Sequence, residues 1–192
     1  PPKTVAEFVD YAKQRPGKIR YASAGVGSFP HFDMVLFAKK AGLDMIHIPV
    51  KAGASGIVND MVSGDLQVSF LNVATSAAMI KAGKLRPLAV VTEQRLAEYP
   101  DVPTMAEVGY PGIGTVQWQG MFAPAGTPKE VLETLHQAVV QALKSAPVQE
   151  AFGKSIIRAV PTSSPDDAKA WLKSEMQAWG KIVAETKIDV EE

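Results

Sequence analysis

Apolar positions recur along this chain in two alternating rhythms, one helical and one extended. In residues 4–15, Val5, Phe8, Val9 and Ala12 share a helical face, Thr4 can cap, and Pro16-Gly17 stops the run. Residues 18–23 then read as a short strand. Helical spacing resumes over residues 29–40 with Phe32, Val35 and Leu36, and Gly42 is a left-handed terminator. Residues 45–50 make a second strand, followed by the loop Lys51-Ala-Gly-Ala-Ser and a short helix ending near Gly64. Residues 66–71 predict a third strand, a helix runs from beyond Asn72 to Ala82-Gly83, and residues 88–91 predict a fourth.

Strands alternating with single helices imply parallel pairing through right-handed crossovers. The run Leu88-Ala-Val-Val suits a strand covered on both faces. Open α/β sheets bind ligands beyond the carboxyl ends of their strands, and the loops at 24–28, 51–55 and 72–75 all fall at that edge. The texture then changes. Tyr99-Pro-Asp-Val-Pro-Thr and Gly109-Tyr-Pro-Gly-Ile-Gly are turn-rich and flank a short capped helix at 104–108. Residues 115–123 form an extended run, a long helix reaches Lys144, Pro147 opens another, and 157–160 predict a strand. Ser164-Pro-Asp-Asp starts a terminal helix in which Trp171 and Trp179 share a face and read as core. Two long helices around one short strand make an incomplete layer, so a second lobe is expected whose sheet needs strands from elsewhere.

Composition narrows the function. The 192 residues can bury a real core, as one large domain or two small lobes. Twenty basic residues balance twenty acidic ones, interspersed, which argues against a nucleic-acid partner. The absence of cysteine removes disulfides, thiolate catalysis and cysteine-bound zinc. No apolar run approaches the roughly 20 residues of a membrane span. No secretory signal precedes Pro1, so an exported precursor is expected to have lost its leader. His31, His47 and His136 lack the spacing of a zinc site, and no cofactor is expected.

The segment Tyr21-Ala-Ser-Ala-Gly-Val-Gly-Ser-Phe-Pro-His-Phe carries most of the chemistry. It takes a strand through a glycine-rich loop into a helix, where the main-chain N–H groups of Gly25, Val26, Gly27 and Ser28 can face a carboxylate or phosphate. The alternative is a plain strand-to-helix turn needing glycine for its angles. His31, in the first helical turn, either donates to a ligand or ties neighbouring loops; His47 reads as a core residue. Gly53 and Ala54 offer a second helix start, or a structural turn. Asn72 ends the third strand at the same edge and either meets a ligand or bonds its own backbone. Gln117 and Trp118 line a cleft or pack a hinge. Ser28, His31 and Asp33 make a poor catalytic set, because residues two apart point to different helical faces.

Several segments in order resemble the substrate receptors of tripartite tricarboxylate transporters, the Bug receptors. They are the glycine-loop segment, His47-Ile-Pro-Val-Lys-Ala-Gly-Ala, Gly64-Asp-Leu-Gln-Val, Ile80-Lys-Ala-Gly-Lys-Leu-Arg-Pro-Leu-Ala-Val, Pro100-Asp-Val-Pro-Thr-Met-Ala-Glu-Val-Gly and Gly120-Met-Phe-Ala-Pro-Ala-Gly-Thr-Pro. The resemblance implies an α/β, type II periplasmic-binding-protein-like architecture. Residues 1–116 would be a complete second lobe with parallel-sheet βα units, and 117–192 the carboxyl-terminal part of an incomplete first lobe. It also implies a periplasmic, non-enzymatic receptor that delivers a small carboxylate to membrane permease subunits. The binding set is then Ser23, Gly25, Val26, Gly27, Ser28, His31, Gly53, Ala54 and Asn72. Asparagine at 72, where many family members carry aspartate, disfavours a cationic amino group on the ligand. Apolar surface on the unaccompanied lobe is expected to promote self-association. The alternative class is the ligand-sensing domain of a regulator or signalling receptor.

Overall fold

The computed structural model describes residues 1–188. The chain separates into two compact units, Pro1–Gln117 together with residues 186–188, and Trp118–Glu185.

The first unit is built on two βα turns. Helix α1 (Val5–Lys13) starts where Thr4 is extended and its hydroxyl accepts the Glu7 N–H, and it buries Val5, Phe8, Val9 and Ala12. Strand β1 (Ile19–Ser23) pairs in parallel with β2 (Met45–Pro49), placing Tyr21 opposite His47. Helix α2 (Phe29–Ala41) connects them and stops at Gly42, whose φ of 65° is left-handed. This helix buries more than the single predicted stripe: Phe32, Met34, Leu36 and Phe37 are all inside, while Val35 is half-exposed. It is covered from two directions, because Phe37 stacks on Phe8 of α1 and meets the Tyr110 ring edge-on at 4.9 Å. Helix α3 (Gly53–Ser63) packs Ile57 against Ala22, Val50 and Leu66, and α4 (Val73–Lys81) follows.

Three predicted strands are corrected. Residues 66–71 meet β1 through one parallel bridge, Tyr21 with Val68, and form no regular strand. Side chains interrupt the ladder: Gln67 Oε1 accepts the Arg20 N–H at 2.9 Å, and the Ser69 hydroxyl donates to the Ala22 carbonyl at 2.9 Å. Residues 88–91 also contribute a single bridge, Val90 with Thr104. The Val90 amide bonds Pro103 and its carbonyl takes the Met105 N–H. Residues 157–160 are not a strand, and no partner strand exists among the described residues of the second unit. The short helix expected at 104–108 is instead a turn, with the Thr104 and Glu107 side chains capping each other's N–H groups.

The second unit carries α5 (Lys129–Lys144), α6 (Ala146–Lys154) and most of α7 (Pro165–Thr186), and none of these helices buries a residue fully. Trp171, expected in the core, is 42% exposed; it meets Trp118 edge-on at 4.7 Å, and the Trp118 indole N–H donates to Glu175. Met121, Phe122, Val160 and Met176 are all at least 68% exposed. Among the described residues, no helix is long and apolar enough to cross a membrane.

Candidate functional site

The first unit brings three helix starts to one edge of its parallel pairing. Helices α2, α3 and α4 follow β1, β2 and the 66–71 segment in turn, so each begins where its extended segment ends. Such starts carry unsatisfied N–H groups and roughly half a positive charge each, which suits an anion.

The loop between β1 and α2 is held by its own atoms. The buried Ser23 hydroxyl donates to the Gly25 carbonyl at 2.9 Å, accepts the Gly25 N–H at 3.1 Å, and lies 2.6 Å from His47 Nε2. The Ser23 hydroxyl and the His47 ring thus share one short hydrogen bond between the two strands. The Gly25 carbonyl also takes the Ser28 hydroxyl at 2.7 Å and the Ser28 N–H at 3.2 Å. Gly27 donates its N–H to His31 Nδ1 at 3.3 Å. Gly25 and Gly27 reach φ of 126° and 76°, angles that side-chain-bearing residues rarely adopt.

The expectation of four open donors is therefore corrected. Gly25, Gly27 and Ser28 spend their N–H groups internally, and the Ser28 hydroxyl turns inward. Among the described residues, Ala24, Val26 and Phe29 are the positions between β1 and the first turn of α2 whose N–H groups meet no protein acceptor; Ala24 is exposed and Val26 is 42% exposed. The loop is pre-organised around the Gly25 carbonyl, and what remains unbonded points outward.

Behind it stand stacked rings. His31 and His47 lie parallel with centroids 3.9 Å apart, and Tyr21 stacks on His47 at 5.0 Å. Burial lowers the His31 pKa below its ordinary 6.5, and burial with the neighbouring His31 brings His47 down to about 4. Burial pushes the Tyr21 phenol up to about 12. All three rings are neutral near pH 7. His31 thus ties the loop to the strands. His47, read as core from sequence, is half-buried and supports Ser23, a role its place opposite Tyr21 could have signalled.

The other two starts are simpler. Gly53 reaches φ 64° and bonds the Val50 carbonyl, while the Ala54 N–H meets no protein acceptor among the described residues. Asn72 caps α4 without bonding its own backbone through its side chain; its amide donates to Gln117 Oε1. Asp33 is 1% exposed and takes both the N–H and the hydroxyl of Thr115, at 3.0 and 2.7 Å. Ser28, His31 and Asp33 are each committed to separate partners, so no catalytic triad is assembled. Among the described residues no cluster of His, Asp or Glu is placed to hold a metal. An open groove of about 560 Å³ lies on the second unit, lined in part by His136, Lys144 and Thr162, and includes none of the edge residues.

The family model of the tripartite tricarboxylate transporter family receptor matches residues 1–188. The protein BugT of Bordetella pertussis is 33% identical over 180 residues, which cover 93% of this chain and 54% of BugT. A protein encoded in the tcbD-tcbE intergenic region of Pseudomonas sp. strain P51 is 32% identical over 188 residues, 97% of this chain and 55% of that one. The chain spans about half the length of these curated relatives. Among solved structures, an R. palustris protein, Rpa4515, with adipate superposes with a TM-score of 0.87 at 31% identity, covering 98% of this chain and 62% of the other. The periplasmic binding protein BugD gives a TM-score of 0.87 at 28% identity (98% and 63% covered), and MatC from Rhodopseudomonas palustris with bound malate gives 0.84 at 26% (95% and 63%). The α/β fold of this chain matches that of these solved proteins, the periplasmic binding protein BugD among them.

Proposed function

This chain belongs to the tripartite tricarboxylate transporter receptor family, and on that premise we propose that it binds a small carboxylate at the edge where α2, α3 and α4 begin. The observation carrying this reading is the set of unbonded N–H groups, Ala24, Val26 and Phe29, around a loop already braced by Ser23, Ser28 and His31. A braced loop loses little entropy when a ligand arrives. Each charge-assisted bond to a carboxylate contributes about 1.5–3 kcal/mol. Two or three such bonds, with Ala54 and the Asn72 amide, approach the roughly −8 kcal/mol of micromolar binding.

The adipate and malate bound by structural neighbours favour a dicarboxylate over an amino acid, as does the uncharged Asn72. We place the protein in the periplasm, as the receptor that hands its solute to membrane permease subunits. In this reading Pro1–Gln117 is the second lobe of a type II binding protein and Trp118–Glu185 the returning part of the first.

The test is titration with adipate, malate and glucose, followed by amide chemical shifts or calorimetry, on the chain and on Gly25→Ala. Carboxylates are expected to bind and glucose not to. At Gly25 an added Cβ meets nothing within 4 Å, so Gly25→Ala acts only through its φ of 126° and weakens carboxylates about tenfold. Equal response to glucose, or unaltered affinity in Gly25→Ala, overturns the reading.

A further inference from the structure

His31 does more to the glycine loop than brace it. Its Nδ1 accepts the Gly27 N–H, so the neutral ring keeps its own hydrogen on Nε2. We propose that His31 is a protonation-operated latch: as imidazole it withholds the Gly27 N–H from solutes, and as imidazolium it surrenders that donor and adds its own Nδ1–H. The latch rests on the carboxylate-receptor reading above and adds a proton to it.

Geometry makes the latch workable. At 3.3 Å the bond is long, hence readily exchanged. Protonating Nδ1 sets two donors against each other, and the bond cannot survive. Gly27 lies between Gly25 and the helix start at φ 76°, where a glycine backbone can turn its N–H outward at small cost. The donor then joins the N–H groups of Val26 and Phe29 on the same loop.

The surroundings of the ring explain why an anion is needed. His31 faces Tyr21 of β1 at 6.3 Å and His47 of β2 at 3.9 Å, and on its own helix Asp33 is committed to Thr115. Tyr21 is neutral because burial raises its pKa, and His47 is neutral because burial and His31 lower its own. Burial alone drives His31 below 6.5, with no carboxylate contributing. An imidazolium there lacks a counter-charge, and a bound carboxylate supplies one. Proton and carboxylate therefore favour each other, by equal factors in both directions. The sign follows: binding takes up a proton, so affinity climbs as pH falls below the ordinary histidine value, by at most about tenfold per pH unit for one linked proton.

The experiment is a nitrogen-15 NMR titration of the chain from pH 7.5 to 5, without and with adipate, on the wild type and on His31→Asn, which keeps a polar atom near Nδ1 and does not titrate. In the wild type the Gly27 amide resonance is expected to move with the same midpoint as the His31 ring. The adipate dissociation constant should fall about three- to tenfold per pH unit below 6.5, and the His31→Asn profile should be flatter by that factor. Adipate binding with the same slope in both proteins overturns the latch and leaves the receptor reading standing. Absence of adipate binding at every pH overturns the receptor reading and the latch with it. Should His31→Asn not fold, a wild-type Gly27 amide that ignores the His31 titration overturns the latch by itself.

Discussion

Replacing Asp33 tests whether the strut beneath the glycine loop is held by charge or by hydrogen bonds. Asp33 is fully buried in α2 and receives the N–H and hydroxyl of Thr115. Its pKa is raised, because burial outweighs the two Thr115 bonds that lower it. The folded state therefore holds this proton more tightly than the unfolded chain. Stability contributed by Asp33 is present in acid and is lost as pH rises from its ordinary 3.8 through the raised value. The slope is bounded at about 1.4 kcal/mol per pH unit. Asp33→Asn keeps one acceptor for Thr115 and sheds the cost of a buried charge, so it should lie within about 1 kcal/mol of the wild type near pH 7. Asp33→Ala leaves the Thr115 N–H without an acceptor and should lose about 2–3 kcal/mol. Urea unfolding followed by far-ultraviolet circular dichroism from pH 4 to 8 measures all three. Tryptophan fluorescence would not serve, since all three tryptophans lie in the second unit. Subtracting the Asp33→Asn curve removes every other titrating group. A wild type that gains on Asp33→Asn as pH rises would refute the reasoning, for it would mean the ionised carboxylate is favoured inside.

Other expectations are simpler. A Cβ at Gly114 would sit 2.1 Å from Val91 Cγ1 at a φ of +98°, so Gly114→Ala should lose about 2–5 kcal/mol by urea unfolding; a loss below about 1 kcal/mol contradicts the close approach. Ile156 holds φ 55° just past α6, an angle costly for a β-branched residue, and Ile156→Gly should gain about 1 kcal/mol in the same assay. The exposed Met121, Phe122, Val160 and Met176 predict concentration-dependent sedimentation that Phe122→Ser weakens, whereas an ideal monomer across the micromolar range counts against self-association.

Local rules made the first four elements legible. Thr4 and Gly42 bracket α1 and α2 in sequence and do so in space, and β1 and β2 follow their apolar runs. The 66–71 segment carries an equally apolar run, but Gln67 and Ser69 bond β1 with side chains, which no propensity encodes. The loop was legible as a place and illegible in its wiring. Which N–H groups stay open depends on His31, which meets the loop across a helical turn, and on His47, which arrives from the neighbouring strand. Ser28 reads as an open donor, yet the Gly25 carbonyl lies close enough to take both its N–H and its hydroxyl. Trp171 read as core because helical spacing reports a shared face and not what covers it.

The side-chain stitches flanking β1 have a consequence for how that strand breathes. An amide hydrogen locked to a neighbouring backbone escapes to solvent only when the ladder parts, whereas the Arg20 hydrogen is guarded by the Gln67 carboxamide. A rotamer hop, on the nanosecond scale, is enough to uncover it. Deuterium should enter Arg20 well before Ala22, whose hydrogen goes to the Val68 carbonyl, leaving one leaky position in the middle of an otherwise slow strand.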